Sequence, residues 1–175
     1  MKIINYLCTN KIIIIMNSTI LSQLYTQVIG SEPTEIIELP ASGSNRRYYR
    51  LLGKESIIGV LGTCKEENES FIYLANHFKD KNLPVPRVLA VADDNMAYIQ
   101  EDLGDDILFK AIEKGRLTRS FSNEEKELLI KTIRMLPDVQ FAGAVGLDFN
   151  KCYPLAEFDT RTIMWDLNYF KYCFL

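Results

Sequence analysis

The sequence is poor in the residues that build metal sites and disulfide frameworks. His77 is the single histidine, and the four cysteines are far apart, with no C-x-x-C pair. Because metal sites and disulfide-stabilised folds need such residues in clusters or at fixed spacing, neither is predicted. Scattered cysteines are typical of free thiols in a reducing compartment, so we expect a cytoplasmic protein. No acid or nucleophile is placed to work with His77, which favours a structural role for it.

An excess of positive charge and a long apolar run are also absent. The net charge is −3, which attracts neither nucleic acid nor anionic membrane, so any basic site must be local. Residues 1–15 are interrupted by Asn5, Asn10 and Lys11 and are too short and polar to span a bilayer. They also lack the cleavage site of a signal peptide. Helix signals begin after Met16 and stop at Gly30; we expect residues 1–15 to be a non-native or disordered extension.

Short β-rich segments dominate the part of the chain that follows. Residues 35–39, 47–52 and 56–61 carry β-branched and aromatic side chains between turn residues, which predicts a three-stranded meander. Residues 87–91 and 96–100 predict a second hairpin. Its turn contains Asp93 and Asp94, which are typical of solvated turns, although adjacent carboxylates also resemble a metal-binding pair.

One helix is predicted between the meander and the hairpin. Thr63 and Glu66 match a capping box, and the helix should run over residues 65–79. Its apolar stripe should pack on one face of the sheet, and it consists of Phe71, Leu74, Ala75 and Phe78.

The loop between the first two strands is glycine-containing and doubly basic. Its small residues can turn several backbone N–H groups toward one point, and fixed positive charge lies beside them, which suits phosphate. The alternative is an ordinary hairpin with basic side chains in solvent. The residues concerned are Ser42, Gly43, Ser44, Asn45, Arg46 and Arg47.

The remaining segment predicts helices. A first helix over residues 105–114 should stop at Gly115, and a capping box of Ser122 with Glu125 starts a second over 123–136, ended by Pro137. Residues 143–155 predict a loop. From Asp159 onward, apolar residues at helical spacing predict an amphipathic last helix, whose aromatic residues would normally be buried and make self-association plausible.

The order of these motifs resembles the N-terminal lobe of the aminoglycoside phosphotransferase family, nearest to its bacterial amino-sugar kinase branch. The resemblance covers about residues 16–175 and rests on S-G-S-N-R-R-Y-Y-R, L-P-V-P-R-V-L, Q-E-D-L-G and F-D-T-R-T-I-M-W-D-L-N-Y-F-K-Y. It implies an α+β, protein-kinase-like fold, with a five-stranded antiparallel sheet and one packed helix. The implied domains are an N-lobe with hinge over 16–104 and an incomplete helical C-lobe over 105–175.

The resemblance also implies where a nucleotide would bind. Residues 42–47 would cover the phosphates of ATP, and Gln100, Glu101 and Asp102 would form the hinge, whose backbone groups pair with adenine. The alternative for Glu101 and Asp102 is a helix-capping acidic turn. A nucleotide and a small-molecule acceptor, with Mg²⁺, are the implied partners.

One departure from the family concerns the lysine that kinase-like proteins carry on their third strand. Here that strand reads S-I-I-G-V-L, so we hypothesise that Arg46 or Arg47 supplies the charge. Glu66 and Glu67 are candidates to orient that arginine, and a first-turn glutamate that complements the helix dipole is the alternative.

A second departure concerns catalysis. No H-x-D-x-x-x-x-N or R-D-x-x-x-x-N pattern occurs in the chain, so no catalytic residue and no metal ligand are assigned. We expect a chain truncated before the catalytic loop, with the Mg²⁺ ligands beyond it. The prediction is the ATP-binding half of a sugar or amino-sugar kinase, inactive alone. The alternatives are a non-catalytic nucleotide- or partner-binding module and a non-functional gene fragment.

Overall fold

A five-stranded sheet forms the centre of the described chain. The computed structural model describes residues 19–40, 43 and 45–174, with only the backbone at Phe174; the predicted extension over residues 1–15 lies outside them. The sheet is antiparallel throughout, in the order β1-β2-β3-β5-β4. The predicted strands are confirmed, with small differences at their ends: β1 (Glu35–Glu38), β2 (Arg47–Leu52), β3 (Ile57–Leu61), β4 (Val88–Val91) and β5 (Ala97–Glu101).

Helices pack on both faces of this sheet, whereas the prediction gave one packed helix. Helix α1 (19–29) buries Leu21, Leu24 and Tyr25 against one face. Helix α2 (Lys65–Asp80) covers part of the other face with Phe71 and Ile72. Alternate strand side chains point to opposite faces, so β2, β3, β4 and β5 each supply both cores.

The start of α2 differs from the prediction. Cys64, not Thr63, is the N-cap residue, and no side chain caps the helix. The Cys64 thiol instead donates to the Glu66 carboxylate at 3.3 Å. Asn68, predicted to lie outside the apolar stripe, is fully buried, and its amide donates to the Asn95 carbonyl at 2.8 Å. Gly62 leaves room for that amide, because a Cβ there would collide with it.

The C-terminal helices are more exposed than the sheet. The predicted helix over 105–114 is wrong: Asp105 is held outside a helix by Arg50, and two short helices follow. Gly115, which was predicted to stop the helix, lies inside the second of these two helices. Because it has no Cβ, the side chains of Glu125 and Phe121 can approach it closely. The elements are α3 (Leu108–Ala111), α4 (Glu113–Thr118), α5 (Asn123–Pro137), a π-helix (Asp138–Ala142), a 3₁₀ turn (Phe149–Lys151) and α6 (Thr160–Phe174).

The predicted capping box at the start of α5 is confirmed. The Ser122 hydroxyl accepts from the Glu125 N–H, and the Glu125 carboxylate accepts from the Ser122 N–H at 2.8 Å. Pro137, by contrast, does not end the helical path, which widens there into the π-helix. Proline lacks an N–H, so it cannot continue the regular hydrogen-bond ladder.

The segment after the π-helix lies along the outer side of α2. The His77 ring donates through Nε2 to the Gly143 carbonyl at 2.8 Å, which is consistent with a structural role. The Asp148 N–H donates to the Tyr73 hydroxyl at 2.7 Å, and the Tyr153 N–H to the Ser70 hydroxyl at 3.0 Å. These bonds attach the C-terminal part to α2.

Helix α6 presents large aromatic side chains to solvent. Trp165 and Tyr172 are 75% and 77% exposed, and Tyr169 and Phe170 are more than half exposed. Across the described ranges, no helix combines the length and the apolar character needed to cross a bilayer. Self-association through α6 stays a prediction.

Candidate functional site

An arginine pairs with a glutamate on the face of the sheet that α2 covers. Arg46, just before β2, places Nη2 3.1 Å from Glu67 Oε1, and the same nitrogen donates to the Glu67 carbonyl at 3.1 Å. Only 10% of the Arg46 side chain is exposed. A guanidinium buried to this extent keeps its charge and needs such a partner. The pairing selects Arg46 and Glu67 from the two arginines and two glutamates that the sequence left open.

Two aromatic rings lie next to this ion pair. The Arg46 guanidinium lies 5.0 Å from the centre of the Phe71 ring, which stacks on Tyr98 at 5.2 Å. Tyr98 is fully buried, and within the described residues its hydroxyl has no hydrogen-bond partner. Burial raises the pKa of that hydroxyl, against a smaller opposing effect of Arg46. The hydroxyl therefore stays neutral and can still donate or accept one hydrogen bond.

Arg47 lies on the other side of the strand. Its guanidinium makes a forked pair with Glu38 of β1, at 2.8–2.9 Å, and both side chains are more than 40% exposed. Consecutive residues on a strand point to opposite faces, so Arg46 and Arg47 cannot serve one site on the α2 side together. Glu66 is likewise separate, because it accepts from Cys64.

The rest of the predicted phosphate loop is described only in part. Gly43 and Asn45 are exposed, and an added Cβ at Gly43 would meet nothing. Ser42 and Ser44 lie outside the described residues. Convergence of this loop's backbone donors on a phosphate therefore stays a prediction.

The predicted hinge begins inside the last strand: Gln100 and Glu101 are the final two residues of β5, and only Asp102 follows it. The Gln100 side chain has a buried amide oxygen without a hydrogen-bond partner among the described residues. Glu101 is fastened to the segment before β4: its N–H donates to the Arg87 carbonyl at 3.0 Å, and its carboxylate accepts from the Arg87 N–H at 2.9 Å. The hydrogen bond from the Arg87 N–H to the Glu101 carboxylate is the main cause of the lowered pKa of Glu101. Neither Glu101 nor Asp102 caps a helix, since α3 begins after Ile107 without a side-chain cap.

Arg50 joins β2 to the hinge through two carboxylates. Its guanidinium makes a fork with Asp102, at 2.7 and 3.2 Å, and a second fork with Asp105, at 3.0 and 2.9 Å. The Ser56 hydroxyl also donates to Asp102, at 2.5 Å. We call this set the Arg50 clamp: Arg50, Ser56, Asp102 and Asp105. Such forked pairs add geometric specificity as well as energy.

The clamp lowers the pKa of both aspartates. Burial would raise the pKa of Asp102, but hydrogen bonds from Ser56, the Gly104 N–H and Arg50 outweigh it. For Asp105, the hydrogen bonds from Arg50 are the main cause. Both groups therefore remain carboxylates well into the acidic range, and Arg50 remains their counter-ion.

The stability of the protein should depend on pH through Asp102. A carboxyl whose pKa is lowered by folding contributes stability that is complete above its unfolded pKa, about 3.9, and is lost as the pH falls through the folded value. We expect the difference in free energy of unfolding between wild type and Asp102→Asn to be constant from pH 5 to 7 and to shrink below about pH 4. Urea unfolding followed by circular dichroism at several pH values measures it. A difference independent of pH would contradict the lowered pKa.

Two surface cavities lie away from these residues. One of about 630 Å³ is lined by polar residues of α1 together with Glu32 and Ile36, and one of about 780 Å³ by residues of α5 and by Asp138. Neither includes Arg46, Arg50 or Asp102, so the candidate site is an open face of sheet and helix. In the described part of the chain, no three His, Cys, Asp or Glu side chains are grouped to hold a metal ion.

A scan against protein-family models and a search of curated proteins both found no match for this chain.

Two residues of this geometry were missed from the sequence. Arg50 belongs to the R-R-Y-Y-R run, and strand alternation alone would have placed it with Tyr48 on one face and Arg47 on the other. Tyr98, two residues before Gln100, shares the face of Gln100 for the same reason. For both residues the signal was the alternation of side chains between the two faces of a strand, and both strands were correctly predicted.

Proposed function

We propose that this chain is the nucleotide-binding part of an ATP-dependent phosphotransferase with a protein-kinase-like fold. Its acceptor would be a sugar or amino sugar, as the resemblance to the aminoglycoside phosphotransferases implies. The single observation that carries the proposal is the partly buried ion pair between Arg46 and Glu67.

The ion pair matches a functional requirement of kinase-like sites. These sites hold a cation against the phosphates by pairing it with a glutamate of the helix that packs on the sheet. Strand β3 carries no lysine, and Arg46 reaches the corresponding helix, α2, from the residue just before the start of β2. An arginine can bind phosphate oxygens in a fork and cannot lose its charge. We therefore assign the phosphate-binding cation to Arg46.

The residue after the predicted hinge, Leu103, offers the backbone groups that a base requires, whereas the N–H of Glu101 in the hinge already donates to the Arg87 carbonyl. The Leu103 N–H and C=O make no hydrogen bond with any other described residue, and Leu103 is 69% exposed. Gly104 follows at φ +82°, a left-handed conformation that glycine adopts without strain. A flat heterocycle with a donor and an acceptor on one edge could pair with this turn.

The charges divide the site into two ends. Arg46 provides positive charge at the start of β2, whereas the Arg50 clamp combines one guanidinium with two carboxylates. Arg50 is four residues farther along the strand, about 13 Å at strand spacing. A triphosphate is repelled by the acidic end, so the base belongs there and the phosphates belong at Arg46.

Mg²⁺ bound to the nucleotide would neutralise its phosphates. The described residues contain no acidic cluster that fits the ion, so we assign no Mg²⁺ ligand and no transfer step to them. A catalytic aspartate is likewise not assigned, since the 175 residues contain no H-x-D-x-x-x-x-N pattern.

Binding of Mg·ATP by the purified chain tests the proposal. A ligand present at about 100 times its Kd stabilises the folded state by about 2.7 kcal/mol, which for a chain of this size raises Tm by roughly 5–10 °C. The control is MgCl₂ alone, for which we expect no shift. A Tm that millimolar Mg·ATP leaves unchanged, together with a flat titration by calorimetry, would contradict the proposal.

A non-catalytic partner-binding module is the second candidate, and the exposed aromatic face of α6 favours it. That function does not require a nucleotide. It therefore predicts silence in the Mg·ATP titration, which separates the two candidates.

A further inference from the structure

The turn between β5 and α3 is held by one side chain from the far end of β2. Arg50 uses both forks of its guanidinium on Asp102 and Asp105, which are 52 and 55 residues away in sequence. Asp102 is only 8% exposed, and it also accepts from Ser56 and from the Gly104 N–H at 2.9 Å. The clamp therefore fixes both ends of the four-residue turn.

The two residues inside the turn are not held by packing. Leu103 is 69% exposed and its backbone makes no hydrogen bond within the described chain. Gly104 has a left-handed φ and open space around it. Glycine in an exposed turn has many accessible conformations, and ordering it costs about 1–2 kcal/mol. Without the clamp, the turn would sample orientations in which the Leu103 N–H points elsewhere.

We propose that Arg50 is a positioning residue that pre-orders the turn 102–105 for recognition of the base of a nucleotide. This inference rests on the proposed function. The clamp orders the turn during folding, so the turn loses no further conformational entropy when the base binds. Arg50 acts through Asp102 and Asp105, and Arg46 remains the group that binds phosphate.

Separate probes for the two ends of the nucleotide test this assignment. Calorimetry measures binding of adenosine, Mg·ATP and inorganic tripolyphosphate to wild type, Arg50→Gln and Arg50→Lys. For Arg50→Gln we expect adenosine and Mg·ATP to bind about tenfold more weakly, the ordering cost converted to affinity, with tripolyphosphate unchanged. Arg50→Lys should be intermediate, because an ammonium cannot fork to two carboxylates.

Arg134→Gln is the matched control, because Arg134 lies exposed on α5, and we expect no change with any probe. Hydrogen exchange at the Leu103 amide gives a readout without ligand, and it should accelerate in Arg50→Gln. If Arg50→Gln does not fold, Asp105→Asn, at an exposed carboxylate, should produce a smaller loss of the same kind.

The outcomes separate the two proposals. If wild type binds Mg·ATP and Arg50→Gln binds adenosine with unchanged affinity, the positioning role is overturned while the proposed function stands. If Arg50→Gln weakens tripolyphosphate as much as adenosine, its effect is a general loss of structure and the positioning role is again overturned. If wild type binds none of the three probes, the proposed function fails, and the positioning role fails with it.

Discussion

Mg·ATP should bind about 10- to 100-fold more weakly to Arg46→Ala than to the wild-type chain. Hydrogen bonds to a charged group contribute about 1.5–3 kcal/mol, and each 1.4 kcal/mol is a factor of about ten in Kd. Tripolyphosphate should lose as much affinity as Mg·ATP, whereas adenosine should lose little. Isothermal titration calorimetry with the three ligands measures this division.

Arg47→Ala decides between the two arginines of the loop. Because Arg47 pairs with Glu38 on the other side of β2, its replacement should change the Kd of Mg·ATP less than threefold, about 0.6 kcal/mol. Arg134→Ala provides the control for general loss of positive charge. Equal losses for Arg46→Ala and Arg47→Ala would show that the loop acts as a diffuse basic patch and would contradict the assignment of Arg46.

Leu51→Ala should lower the free energy of unfolding by about 2–5 kcal/mol, the range for a buried leucine that leaves a cavity. Leu51 is fully buried between the sheet and α1. Its Cδ1 also fills the space over Gly59, where an added Cβ would lie 2.7 Å away. Urea unfolding measures the change.

The matched substitution is Leu117→Ala, at a side chain that is 76% exposed on α4. Its expected effect is within about 0.5 kcal/mol, as for most surface positions. Similar losses at both positions would mean that the α1 side of the sheet is not the main core. Phosphate binding should survive in folded Leu51→Ala, because Arg46 lies on the opposite face.

The five strands and α2 were predictable because their signals are local. The β-branched and aromatic side chains of residues 47–52 and 57–61 and the turn residues between them need no knowledge of the rest of the chain. The same holds for the capping box of Ser122 and Glu125, whose two hydrogen bonds span three residues. Where a nearby alternative competed, as with Thr63 and Cys64 before α2, the local signal gave the wrong cap.

The candidate site was only half predictable. The sequence offered Arg46 or Arg47, and Glu66 or Glu67, as equivalent choices. The choice depends on which side of β2 each arginine takes and on where α2 crosses the sheet. Both are settled by packing, since Phe71 and Ile72 must cover Tyr98 and Val60.

By itself, the sequence determined the order of strands and helices in this protein, because periodicity, caps and turns are properties of neighbouring residues. Only the tertiary structure decided that Arg46 pairs with Glu67 and that Arg50 holds Asp102 and Asp105. These partners are 21 to 55 residues apart. Contacts over such distances form only when the sheet and α2 have packed, and a pattern of adjacent residues carries no information about them.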